Sequence, residues 1–107
     1  MIQVIYYRKY NRLTVTGHAG SAEKGHDLVC ASASMLAYTL AANVANMADN
    51  GQVREPIIEM EEGNTVVSCK PRSNLKASVT LVFDSICVGF DLLAHEYPEY
   101  ISYEIRP

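Results

Sequence analysis

The sequence predicts an α+β fold in which two helices pack on one face of a mostly antiparallel sheet. Three observations carry this prediction. Short β-rich segments occur in pairs separated by polar turns, a long apolar segment with helical spacing follows each pair, and one more β-rich segment comes last. The predicted order is ββαββαβ, and residues 1–107 are predicted to form a single domain.

The first two strands are predicted to form a hairpin. The segments Ile2–Tyr7 and Leu13–Thr16 are rich in β-branched and aromatic residues, which favour strands. A polar turn at residues 9–12 separates the two segments, as is typical of a hairpin.

A glycine-rich loop is predicted over residues 17–25. Gly17, Gly20 and Gly25 adopt a wider range of backbone conformations than other residues, and we expect them to act as hinges. The loop is therefore predicted to be mobile without substrate and to order over a bound peptide. The alternative is a rigid loop whose glycines only form tight turns.

The first helix is predicted to begin near Leu28, because Asp27 is a good N-cap residue, and to end before Gly51. The segment is nearly as long as a membrane span, but it is rich in Ala, Ser and Asn rather than in Leu, Ile and Phe. We therefore predict a buried core helix and no membrane association. Its apolar positions keep helical spacing at Val29, Ala33, Leu36, Leu40, Val44 and Met47.

A second hairpin, a second helix and a last strand are predicted after Gly51. The hairpin strands are Ile57–Met60 and Thr65–Cys69, and residues 61–64 are predicted to form the turn between them. Ser73 or Asn74 is expected to cap the helix. One helical face collects Val79, Val82, Phe83, Ile86, Phe90 and Leu93, although the β-branched residues at 77–83 leave a strand as the alternative. Pro98 closes the helix, and Tyr100–Ile105 is the last predicted strand.

Charge and cysteine content restrict the class of protein. The formal net charge of −3 leaves no basic excess to neutralise phosphates, so we predict no direct nucleic-acid binding. Residues 1–10 lack the pattern of a secretion signal. Cys30, Cys69 and Cys87 are an odd number at irregular spacing, which is typical of reduced thiols in the cytoplasm.

Cys30 is the candidate nucleophile. With Asp27 as N-cap, this cysteine is predicted to lie in the first helical turn, where the helix dipole lowers the pKa of a thiol. N–H groups in a first helical turn have no partner within the helix, and those of Cys30 and Ala31 are therefore expected to stabilise an oxyanion. The alternative is a buried structural cysteine, which is the interpretation we give to Cys69 and Cys87.

His18 is the candidate general base. It lies twelve residues before Cys30 on the glycine-rich loop, and such a loop can fold back to bring an imidazole to a thiol. A loop histidine without a role is the alternative. Ser34 follows Cys30 by one helical turn and is expected to line the same pocket.

Two further hypotheses concern His26 and Asp27. Together with His18 and Cys30 these residues could form a mixed metal site. They lack the paired ligand spacing of zinc sites, so we predict no metal and no cofactor. Asp27 is either a plain helix cap or a group that also orients an imidazole.

The same segment resembles the signature of the bacterial ribosomal-processing cysteine proteases. The matching residues are Gly17-His18-Ala19-Gly20, Glu23-Lys24-Gly25-His26-Asp27 and Val29-Cys30-Ala31. The resemblance implies that the family's histidine falls on His18, its nucleophile on Cys30, its aspartate on Asp27 and its serine on Ser34.

The resemblance also implies an activity and partners. The family removes a short N-terminal extension from the large-subunit ribosomal protein number twenty-seven, and its members are homodimers. We therefore predict a cytoplasmic cysteine endopeptidase with a Cys–His dyad and the N-terminal peptide of a ribosomal protein as its substrate. A non-catalytic, ribosome-associated binding module of the same fold is the alternative.

Overall fold

The α+β prediction and the predicted order of elements are confirmed. The computed structural model describes residues 1–18 and 26–107, with residues 26 and 27 described by their backbone alone. The elements are β1 (Ile2–Tyr7), a short 3₁₀ turn (Arg8–Tyr10), β2 (Arg12–Thr16), α1 (His26–Asp49), β3 (Val53–Glu61), β4 (Asn64–Pro71), α2 (Lys76–Glu96) and β5 (Ile101–Arg106).

The five strands form one sheet in the order β3-β4-β2-β1-β5. All neighbours are antiparallel except β1 and β5, which run parallel with Ile2 opposite Ile101. Between the two hairpins, Thr16 of β2 lies opposite Asn64 of β4. This register brings the start of β1, the end of β2 and the β3–β4 turn to one end of the sheet.

The core lies between the sheet and the two helices. Alternate side chains of β1 are buried, as a strand with one covered face requires. The ring of Tyr6 stacks on Phe83 of α2, with 6.0 Å between ring centroids. On α1 the buried positions include Ala33, Ala37 and Ala41, whose small side chains let this helix approach its neighbours closely. Burial of a large apolar side chain such as Phe83 contributes about 2–3 kcal/mol.

The predicted helix caps are wrong. α1 begins at His26, so Asp27 lies inside the first turn rather than at the N-cap position. α2 begins at Lys76, and no side chain caps it. The Leu75 N–H donates to the carbonyl oxygen of Arg72, and this turn takes up Ser73 and Asn74 before the helix starts.

The strand alternative for residues 77–83 is also wrong. Those residues lie within α2, and Val79 and Phe83 are both buried at helical spacing. The buried face continues through Cys87 and Phe90, as the predicted amphipathic helix requires.

The second hairpin is longer than predicted at both of its open ends. β3 begins at Val53, opposite Pro71 at the end of β4. The register shifts between Arg54 and Ile57, where Glu55 has a φ of 50°. A bulge on an edge strand tolerates proline, which explains why β3 continues through Pro56.

Both helices are long and apolar enough, by length and composition alone, to cross a membrane. Core helices of soluble proteins commonly share this property, and the buried faces of α1 and α2 pack in the core described above. The absence of membrane association stays a prediction.

Candidate active site

A cleft of about 420 Å³ lies between α1 and the end of the sheet where β1 begins. His18, Cys30 and Ser34 all line it together with the predicted hinge Gly17, so four of the predicted site residues meet at one place. The remaining lining residues are Ile2, Val15, Ala33, Ala37, Tyr38, Met60, Glu61, Glu62, Gly63, Asn64 and Thr65.

One face of α1 forms the helical wall of the cleft. Cys30, Ser34 and Tyr38 follow one another at intervals of four residues, which places them on the same side of a helix. Ala33 and Ala37 lie between them, and their small side chains leave the space that the cleft occupies. Tyr38 was missed in the sequence, although its spacing from Ser34 was a usable signal.

Cys30 lies deeper in the helix than predicted. It is the fifth residue of α1, and only the first four N–H groups of an α-helix lack partners within the helix. The predicted oxyanion role for the N–H groups of Cys30 and Ala31 is therefore wrong. The Cys30 side chain is half-buried and lines the cleft.

His18 is held through its main chain and lies against the β3–β4 turn. The main-chain nitrogen of Met1 donates to the His18 carbonyl oxygen at 2.7 Å. The neighbouring Gly17 N–H donates to the carbonyl oxygen of Gly63 at 3.0 Å. A methyl group built on Gly63 would lie 2.6 Å from His18 Nε2, so the imidazole rests directly on the Gly63 backbone.

Gly17 occupies a position that excludes a side chain. Its φ is +91°, and a Cβ built there would collide with the carbonyl oxygen of Met1. This close approach accounts for a glycine at residue 17. The hinge role of Gly17 stays a prediction, and Gly20 and Gly25 lie outside the described residues.

The hairpin wall of the cleft is acidic. Glu61 at the end of β3 and Glu62 in the turn that follows line it, and no Lys or Arg does so in the part of the chain that the structure describes. The two carboxylates give this wall a negative potential, which favours positively charged groups on a ligand. These residues were predicted only as turn residues.

Cys69 and Cys87 have the structural role that was predicted for them. Each is only 2% exposed. Burial raises the pKa of the Cys69 thiol to about 11, although the positive charge of Lys76 opposes the shift. Burial likewise raises the pKa of Cys87 to about 12. Both thiols therefore stay protonated and inaccessible at neutral pH, in contrast to the position of Cys30 at the cleft.

The hypothesis of a mixed metal site includes residues whose side chains the structure does not describe. Across residues 1–18 and 28–107, no three His, Cys, Asp or Glu side chains lie close enough together to hold a metal ion. The hypothesis also needed His26 and Asp27, whose side chains lie outside the described residues. For the same reason, an orienting role for Asp27 stays a prediction.

The sequence model of the family described as cysteine protease Prp matches residues 1–102. The chain belongs to this family. A relative from Mycoplasma pneumoniae, named ribosomal processing cysteine protease Prp, is 28% identical over 97 residues, which cover 89% of this chain and 87% of the relative. Membership in the Prp family makes the protein a cysteine protease, and it favours the enzyme over the non-catalytic binding module.

Solved structures share the Prp fold with this chain. A Streptococcus mutans protein has a TM-score of 0.70 at 29% identity, with 98% of this chain and 93% of that one covered. Staphylococcus aureus Prp in complex with a substrate peptide has a TM-score of 0.70 at 20% identity, covering 98% and 97%. The same enzyme with a covalently linked product peptide has a TM-score of 0.69 at 22% identity, again covering 98% and 97%. At these identities the S. aureus matches show the fold.

Proposed function

We propose that this protein is a cysteine endopeptidase of ribosomal processing in which Cys30 is the nucleophile and His18 is the general base. One observation carries the proposal. The side chains of a loop histidine and a helix cysteine line the same cleft, while the other two cysteines are buried elsewhere. A nucleophile beside a base is the arrangement that acyl transfer needs.

The reaction proceeds in two steps. In the first, the His18 imidazole takes the proton of the Cys30 thiol, and the sulfur attacks the carbonyl carbon of the scissile peptide bond. The C–N bond breaks, the imidazolium returns the proton to the leaving amine, and a thioester to Cys30 remains. In the second step His18 takes a proton from water. The resulting hydroxide attacks the thioester carbonyl and displaces the sulfur as a thiolate, which releases the carboxylic acid product. The imidazolium of His18 then returns its proton to the thiolate and restores the thiol.

Two residues are proposed to support the dyad. The Ser34 hydroxyl, one helical turn beyond Cys30 on the cleft wall, is suited to donate a hydrogen bond to a substrate carbonyl. Asp27 lies in the first turn of α1, where a negative charge is favourable to the helix. We propose that its carboxylate also orients the His18 imidazole.

The proposed substrate is the N-terminal extension of the large-subunit ribosomal protein number twenty-seven, and the proposed site of action is the cytoplasm. Support comes from the M. pneumoniae relative that is named for ribosomal processing and from the S. aureus relative with a bound substrate peptide. Neither a cofactor nor direct contact with nucleic acid is part of the proposal.

Incubation with the extended ribosomal protein, followed by mass analysis of the products, tests the proposal. Cys30→Ala should abolish cleavage, and His18→Ala should slow it about 10²–10⁴-fold. Cys87→Ala and His95→Ala are the matched controls, since Cys87 is buried and His95 is exposed on α2 away from the cleft. A Cys30→Ala protein that still cleaves would overturn the proposal.

We also propose that the enzyme is a homodimer in which the outer faces of α1 and α2 meet a second copy. Support comes from exposed apolar side chains on these faces, including Met35 and Leu92 at 65% exposure each. A shallow groove between the helices is lined by both residues. Burying such a surface against a second copy is favourable.

Light scattering after size-exclusion chromatography tests the dimer. Leu92→Glu should give a monomer. Ile105→Glu, at an exposed apolar position on β5, should leave the dimer intact. A wild-type protein that is monomeric at micromolar concentration and above would contradict the proposal.

A further inference from the structure

We propose that Gly63, in the turn between β3 and β4, is a positioning residue that sets the place of the His18 imidazole. This inference rests on the dyad proposed above. It adds a residue that acts through the general base and takes no part in the bond-making steps itself.

The contact between the two residues is close. A Cβ built on Gly63 would lie 2.6 Å from Nε2 and 2.8 Å from Cε1 of His18. Non-bonded carbon atoms pack at about 3.5–4.0 Å, so any side chain at residue 63 forces the ring to move by about 1 Å. The imidazole therefore occupies the space that a side chain at residue 63 would fill.

The main chain ties the same two segments together. The carbonyl oxygen of Gly63 accepts the N–H of Gly17, directly before His18, at 3.0 Å. The next pair of residues into the sheet is Thr16 of β2 opposite Asn64 of β4. The contact between His18 and Gly63 thus continues the β2–β4 pairing, and the register of the sheet determines where it lies.

Turn geometry alone is the competing explanation for this glycine, because Gly63 has a φ of +77°. The chain contains a matched control for that effect. Gly51 has a φ of +71°, and a Cβ built there has no atom within 4 Å. Alanine introduces similar backbone strain at both positions, but only at residue 63 does it also meet the imidazole.

The collision at Gly63 should appear in catalysis more than in stability. The atoms that a methyl group would meet belong to the end of a side chain, and that side chain can rotate away. Rotation relieves the collision but moves the general base. A displacement of about 1 Å in a catalytic group can cost about 10²-fold in rate.

The experiment compares Gly63→Ala with Gly51→Ala on the extended ribosomal protein. Both variants should lose similar thermal stability. We expect kcat to fall about 10–100-fold in Gly63→Ala and to stay within about twofold of wild type in Gly51→Ala, whose position is remote from the cleft. Equal losses of kcat in the two variants would overturn the role of Gly63.

A double variant shows whether Gly63 acts through His18. In a His18→Ala background the imidazole is gone, so adding Gly63→Ala should cause no further loss of rate. A full additional loss would mean that residue 63 acts otherwise, and it would overturn the inference while leaving the dyad in place. If His18→Ala alone retains full activity, the dyad fails, and the role of Gly63 fails with it.

If Gly63→Ala does not fold, a second pair of variants, Gly63→Asn and Gly51→Asn, tests the same inference. Asn tolerates a positive φ better than Ala and carries the same Cβ. Gly63→Asn should therefore lose kcat relative to Gly51→Asn, and equal activities would contradict the proposal. The pH dependence of Cys30 alkylation by iodoacetamide should also change in the Gly63 variant only.

Discussion

The hydroxyl of Tyr6 donates a hydrogen bond of 2.8 Å to Oδ1 of Asp84, which joins β1 to α2. The guanidinium of Arg8 donates to both oxygens of the same carboxylate, at 3.1 and 3.0 Å. Burial, reinforced by the hydrogen bond to Asp84, raises the pKa of Tyr6. The hydrogen bond from Arg8 lowers the pKa of Asp84 below its usual value of 3.8.

This carboxylate should make stability depend on acid pH. A lowered pKa in the folded state contributes stability that is present above the unfolded-state pKa and is lost as the pH falls through the folded-state pKa. The free energy of unfolding should therefore fall more steeply for wild type than for Asp84→Asn as the pH drops from about 5 toward 2. Urea unfolding across this range measures the difference, and parallel curves would contradict the assignment.

Thiol labelling should single out Cys30. Because Cys69 and Cys87 are buried and their pKa values are raised to about 11 and about 12, iodoacetamide at pH 7 should add to one cysteine per chain. Intact-mass analysis and peptide mapping give the number and position of adducts. The Cys30→Ala protein is the control and should stay unlabelled over the same period.

Gly17→Ala should destabilise the protein strongly. A methyl group at this position meets the carbonyl oxygen of Met1, and a main-chain atom cannot rotate away as a side chain can. Strain at a positive φ adds about 1–2 kcal/mol, so we expect a total loss of about 2 kcal/mol or more. Urea unfolding of Gly17→Ala beside Gly51→Ala measures it. Equal losses in the two variants would show that the collision adds nothing.

Asn11→Ala should destabilise the end of the sheet that lies away from the cleft, where Asn11 joins β1 to β2. Asn11 is fully buried with a φ of 47°. Its side chain donates to the Thr80 hydroxyl at 3.1 Å and accepts from Lys76 at 2.5 Å. Alanine loses both bonds and strains the backbone, for an expected cost of about 2–4 kcal/mol. Asn11→Gly keeps the backbone conformation accessible, so its urea midpoint isolates the part due to hydrogen bonds.

The sequence predicted the order of elements well because that order depends on strong local signals. Alternation in β1 and the helical spacing of Val79, Phe83 and Phe90 each reflect burial on one face. The boundaries were harder to predict. Asp27 is a good cap by type, yet α1 extends past it to His26, and a capping preference worth only about 1 kcal/mol does not fix a helix boundary by itself.

Half of the cleft could be anticipated, and the other half could not. Cys30 and Ser34 share a helix face, and their spacing is visible in the sequence. Gly63 and the acidic hairpin wall reach His18 only through the β2–β4 pairing, which joins segments forty-five residues apart along the chain, as Gly63 and His18 are. A local sequence pattern carries no information about such pairing, so Gly63 was interpreted as a turn residue alone.

The parallel pairing of β1 with β5 has a consequence for when the enzyme becomes active. Ile2 pairs with Ile101, ninety-nine positions later in the chain, and Ile2 also lines the cleft. During synthesis, β1 leaves the ribosome long before its neighbour β5 exists, so this edge of the sheet cannot close on the nascent chain. The wall of the cleft at Ile2 is completed only after residues 101–106 have been made. We therefore expect peptide cleavage to begin only after β5 has paired with β1, because the same Ile2 that pairs with Ile101 lines the cleft.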